Sequence, residues 1–143
     1  MKIECECMSI HSESIITVED KGIKAKFINE DNFDYVLIQV DGCVVKEGRR
    51  ADFVLRKNEV GDLIIELKRG NVEHALHQIE ETAKLWSDNK ISNKIAGLIV
   101  CTEVPRVPTK IQDAKRRFFK MFRSHLTIKT GVREYKFVDL FKA

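Results

Sequence analysis

Apolar positions in this chain gather into short clusters parted by turn residues, and the pattern changes between a period of two and a helical period. Near the start, Ile3, Cys5 and Cys7 alternate with Lys2, Glu4 and Glu6, which predicts a strand. Residues 14–18 and 23–28 predict two more strands, joined by a polar turn over 19–22. After the polar stretch 29–32, residues 35–40 read as a strand, and Asp41-Gly42 signals a hairpin with Cys43, Val44 and Val45 returning. A charged connection over 46–50 leads to a strand at 51–55, a turn at 57–61 and a second apolar run at 62–68. Asn71 suits an N-cap, with Glu73 in the first turn. The helix it opens carries Val72, Ala75, Leu76, Ile79, Ala83 and Trp86 as one buried stripe. Residues 95–101 are continuously apolar, as in a strand covered on both faces. A right-handed crossover through the helix makes this strand the parallel neighbour of 62–68. Pro105 and Pro108 punctuate the exit, and a helix over about 109–125 turns Ile111, Ala114, Phe118 and Phe122 inward, followed by Leu126. Residues 126–128 and 135–138 close the chain as a pair of strands around Gly131.

Strand periodicity assigns faces. Asp52, Val54 and Arg56 share one side of their strand, and Asp62, Ile64, Glu66 and Lys68 share one side of the next. A hairpin that sets Arg56 against Asp62 also sets Val54 against Ile64 and Asp52 against Glu66. Two carboxylates and a lysine then meet at the end of a buried strand, where charge is expensive without a partner or a task.

Length and composition bound the rest. The 143 residues suit a single α/β domain over 1–143, a central mixed sheet flanked by helices. No apolar run approaches the roughly 18 residues of a membrane span, and the N-terminus has no signal-peptide layout. The four cysteines lack the spacing of a zinc site, so they read as reduced thiols in a cytoplasmic protein. His74 and His77 have no companion ligands and read as surface residues. The net charge of +3 is too small to imply nucleic-acid binding, so distribution matters more.

Asp52, the Glu66-Leu67-Lys68 triplet after an apolar strand, and Gln78 in the following helix together resemble the PD-(D/E)xK nuclease superfamily, the restriction-endonuclease-like fold. Ala51 stands where the nominal proline of that motif falls. The glutamate-bearing helix that often leads the fold is not evident, although a helix over 11–18 would offer Glu13. β-Branched Ile15, Ile16, Thr17 and Val18 disfavour that helix. A second triplet, Glu134-Tyr135-Lys136, follows no aspartate hairpin and reads as an outward-facing edge.

The resemblance implies a nuclease whose catalytic residues are Asp52, Glu66, Lys68 and Gln78. It places a Mg2+ or Mn2+ ion on the carboxylates of Asp52 and Glu66 and the carbonyl of Leu67. Hard oxygen donors suit such cations, and hydrolysis of a phosphodiester needs one to neutralise charge and orient hydroxide. Lys68 would stand beside the attacking water and the scissile phosphate. DNA is expected in preference to RNA, bound through Arg49 and Arg50 beside the site and through Arg116, Arg117, Lys120 and Arg123 on the second helix. A chain this small would cut both strands as a homodimer or within a larger complex. The alternative is a non-catalytic nucleic-acid-binding or assembly protein that keeps the fold.

Overall fold

The computed structural model describes residues 1–70, 72–103 and 106–142, so the expected Asn71 cap and the punctuation at Pro105 lie outside the described residues. A 3-10 helix at Cys5–Cys7 leads into β1 (Met8–His11), β2 (Ile15–Asp20), β3 (Ile23–Ile28), β4 (Tyr35–Gln39), β5 (Phe53–Lys57) and β6 (Gly61–Lys68). Then come α1 (Val72–Asp88), β7 (Ile95–Cys101), α2 (Pro108–Phe122), β8 (Leu126–Thr130), β9 (Glu134–Tyr135) and a 3-10 helix at Phe137–Phe141.

Six strands form a mixed sheet in the order β1-β4-β5-β6-β7-β8, antiparallel up to β6 and parallel from β6 to β8. The unbroken apolar run of β7 is buried at every position, as its composition demands. Both helices cover one face: Val54, Ile64 and Ile99 meet Ala75, Ile79, Ala83 and Trp86 of α1 and Ala114 and Phe118 of α2. Gly97 permits that approach, because a Cβ there would stand 2.9 Å from Leu126 Cδ1 and 3.1 Å from Ile79 Cγ2. The opposite face, with Leu55, Leu63, Ile65 and Leu98, is covered by a small sheet in the order β2-β3-β9 and by the last 3-10 helix. The layers are therefore helices, mixed sheet and second sheet.

Four local expectations are corrected. The alternating residues before Met8 are no strand; pairing with β4 begins only at Met8. The return after Asp41-Gly42 does not form, because β1 and β5 already occupy both edges of β4; residues 41–45 make a tight turn closed by Gly42 N–H on Val45 O at 2.9 Å. The closing strands do not pair with each other: β8 joins β7 and β9 joins β3. Residues 137–141 coil so that Phe137, Leu140 and Phe141 all reach the core, a spacing that a strand could not bury on one side.

A further correction concerns the cysteines. Cys7 and Cys43 are joined by a disulfide across a separation of 36 residues, since β1 and the 41–45 turn both lie beside β4. Cys5 is an exposed thiol and Cys101 a buried one. The bond removes the cysteine ground for a cytoplasmic setting; among the described residues, no helix is long and apolar enough to cross a membrane. Cys43→Ser should cost about 2–4 kcal/mol through the released loop, and urea unfolding of wild type with and without reductant checks it. Identical midpoints would show that the bond does not form in solution.

Candidate active site

The β5–β6 hairpin takes the register expected of it, with Arg56 opposite Asp62 and Val54 opposite Ile64. Continuing that ladder one step past Phe53 brings Asp52 to Glu66. The two residues interlock: Asp52 N–H donates to Glu66 Oε1 at 3.2 Å, and Leu67 N–H donates to Asp52 Oδ2 at 3.0 Å. Glu66 is 2% exposed, whereas Asp52 is half-buried. Alternation sends the Leu67 side chain into the core on the opposite face, so only its backbone belongs to the site. Lys68 Nζ lies 3.5 Å from Gln78 Oε1, and Gln78 Nε2 donates to the carbonyl of Arg50 at 3.2 Å. The four residues read as catalytic thus gather at one strand end.

Burial, the largest cause, pushes the Glu66 carboxyl up to about 9, and the hydrogen bond and negative charge of Asp52 add to it. The positive charge of Lys68 and the Asp52 amide pull the other way without reversing the effect. Glu66 accordingly keeps a proton at neutral pH unless another cation takes its place. Two hard carboxyl groups, one of them too buried to ionise unaided, are donors of the type that a hard cation takes. The residues present fit Mg2+ or Mn2+, with the Leu67 carbonyl as the additional donor that the resemblance implies. Among the described residues no cluster of three or more His, Cys, Asp and Glu side chains is poised to hold a metal, so further donors would be backbone or water. Glu13 is not one of them: it precedes a strand rather than lying on a helix, is exposed, and pairs with His11 at 3.5 Å.

One contributor went unread in the sequence. Thr82, fully buried on α1, accepts the Ala51 N–H at 2.9 Å and donates to the Gln78 carbonyl at 2.8 Å. A proline at position 51 would have no N–H to offer, so the alanine found there has a use. The available signal was the four-residue spacing of Gln78 and Thr82, which places both on one helix face.

The basic residues divide. Arg49 is exposed and Arg50 half-buried, its Nη1 donating to the Arg49 carbonyl at 2.8 Å. On α2, Arg117 bonds to Glu80 of α1 at 3.1 Å, Lys110 to Glu73 at 3.0 Å and Arg116 to Asp113 at 3.3 Å. Arg117 therefore ties two helices together, with its pKa raised chiefly by the Glu80 hydrogen bond. Lys120 and Arg123 are exposed, but Arg123 has left the helix as its left-handed cap with φ 57°. The positive face is real in composition but is in part neutralised by acids from α1.

At the far end of β6, Asp62 is 1% exposed and receives Arg56 Nε and Nη2 at 2.8 and 2.9 Å and Trp86 Nε1 at 2.9 Å. Both oxygens of that carboxylate are met by donors, one of them a cation, whereas the neighbour of Glu66 is another carboxyl group. No family model, curated protein or solved structure matches the chain.

Proposed function

We propose that this chain is a metal-dependent nuclease that hydrolyses phosphodiester bonds, acting on DNA in preference to RNA with Mg2+ or Mn2+. The observation that carries the reading is the interlocked Asp52–Glu66 pair, with Lys68 and Gln78 at the same strand end. The cation would be held by the two carboxylates and the Leu67 carbonyl; when bound, it supplies charge neutralisation and an acidified water. Lys68, half-buried, offers its ammonium to the water and the developing phosphate charge, and Gln78 orients that ammonium through its amide oxygen. Cutting both strands would take a homodimer or a partner subunit.

The test is incubation of the purified chain with plasmid, linear, branched and single-stranded DNA and with RNA, each with Mg2+, Mn2+ or chelator. Chelator-sensitive cleavage is expected; intact substrates in all arms would defeat the reading. A second reading, nucleic-acid binding without turnover, is favoured by one observation, that among the described residues only two side-chain carboxyls meet at the site. Binding titrations over a salt series separate the two readings from a protein with no nucleic-acid role. The double variant Arg116→Ala/Lys120→Ala spares the Arg117–Glu80 tie. It should flatten the salt dependence by about one unit of slope for each phosphate no longer neutralised, with the melting curve unmoved. An unaltered slope would assign that face of α2 to solvent.

A further inference from the structure

We propose that Thr82 is a positioning residue that holds Asp52 in place against Glu66, an inference that rests on the nuclease reading and extends it beyond the motif residues. The Arg50–Ala51 peptide is gripped at both of its polar edges by one turn of α1. Its carbonyl accepts from Gln78 Nε2 at 3.2 Å, and its N–H donates to Thr82 Oγ1 at 2.9 Å. A trans peptide directs these two groups to opposite sides, so holding both fixes the plane.

The next polar groups along the chain are fixed in turn. Asp52 N–H reaches Glu66 Oε1, and Asp52 O accepts from Val40 N–H at 3.0 Å. Asp52 precedes β5 and is not within its regular ladder, so these bonds hold it as strand pairing holds the residues further on. A helical threonine satisfies its own hydroxyl through the carbonyl four residues back, and Thr82 does so with Gln78. Its further acceptance of the Ala51 N–H is not needed for that purpose. With the hydroxyl proton committed to Gln78, the oxygen is left as an acceptor facing the one amide that fixes the approach to Asp52. Ala51 is wholly buried, and its small side chain suits the close passage of this segment over α1.

Outer groups that orient metal ligands typically carry about 10–100-fold in metal affinity or activity. Thr82→Val keeps the volume and removes the acceptor, while Thr82→Ser keeps the acceptor and removes a methyl group. Three readouts are compared: amide hydrogen exchange at Ala51 and Asp52, the Mn2+ concentration that gives half the thermal shift, and plasmid cleavage. Thr82→Val should retain the wild-type fold by Trp86 fluorescence, speed exchange at both amides, and raise the Mn2+ midpoint about 10-fold or more, with cleavage falling in step. Thr82→Ser should restore all three. Wild-type exchange and an unmoved Mn2+ midpoint in Thr82→Val would overturn the proposal. Should Thr82→Val fail to fold, Thr82→Cys, whose sulfur is a weak acceptor, takes its place under the same criteria. If wild type itself shows neither Mn2+ shift nor cleavage, the nuclease reading falls. Exchange at Asp52 then decides the positioning role alone: faster exchange in the valine variant keeps it, and unchanged exchange ends it.

Discussion

Asp62→Ala should lower stability by about 3–5 kcal/mol, the range for removing one partner of a buried ion pair. Asp62 is 1% exposed and holds three donors, two from Arg56 and one from Trp86. Without it, the Arg56 guanidinium has no counter-charge; its pKa is raised mainly by the Asp62 hydrogen bond, which records how much the charged form depends on that partner. The Trp86 N–H is also stranded in the core. Asp62→Asn keeps an acceptor for Trp86 and removes the charge, so it should cost less. Urea unfolding followed by Trp86 fluorescence suits the measurement, since Trp86 is the sole tryptophan. Unfolding midpoints that match wild type would mean that Arg56 finds water and the pair contributes little.

Asp62 and Glu66 lie on one face of the same strand, both buried, and the contrast between them separates architecture from chemistry. Asp62 is met by a cation and an indole and needs nothing more. Glu66 is met by another carboxyl group, offset only in part by the charge of Lys68 and by the Asp52 amide. The half-buried Asp52 beside the buried Glu66 raises the cost of ionising Glu66 and gives the fold nothing in return. Under the proposed function, a bound cation would offset that cost.

The parts of the fold legible in the sequence are those whose local pattern and tertiary setting agree. The hairpin register followed from the alternation of Val54, Arg56, Asp62 and Ile64, because a slip of one residue would turn the core outward. The α1 stripe and the buried run of β7 were equally direct, and β7 pairs parallel to β6 as the intervening helix requires. What could not be read depends on distant neighbours. The Asp41-Gly42 turn carries a proper hairpin signal, yet the edge its return would occupy belongs to β5 or β1. The Cys7–Cys43 bond joins residues whose proximity is set by β4. On α2 the sequence counts arginines and lysines along one helix but not Glu73 and Glu80, which come from another element to meet them. At the site, Asp52, Glu66 and Lys68 were legible because alternation puts them on one face. Thr82 was not, since its partner Ala51 lies 31 residues away and contributes only a backbone amide.

Magnesium or manganese should raise the melting temperature of wild type, by the equivalent of about 2.7 kcal/mol at a hundredfold excess over Kd, and Glu66→Ala should abolish both that shift and hydrolysis. The sign of the pH dependence follows from the raised carboxyl. Glu66 holds its proton up to about 9 in the folded chain, against an ordinary value of 4.5. Between those values the folded state binds a proton that the unfolded state has released. The stability contributed by this group is therefore complete below about 4.5 and is lost as pH rises toward 9. Bound cation replaces the proton, so the metal-induced shift should grow across the same interval. Glu66→Gln mimics the protonated acid; it should flatten the pH dependence and leave the metal-free protein at least as stable as wild type at about pH 8. Lys68→Ala should keep the metal shift and lose turnover by about 10²–10³-fold, because the role proposed for the lysine is on water and phosphate rather than on the cation. A purely structural Glu66–Lys68 salt bridge makes the opposite forecast: no metal shift, and a weaker protein once either partner is removed. Melting curves of wild type, Glu66→Ala, Glu66→Gln and Lys68→Ala, each at about pH 6 and 8 with and without metal, separate these outcomes. A wild type indifferent to both cations would leave the acidic pair without the ligand that explains it, and would end the claim of metal-dependent catalysis.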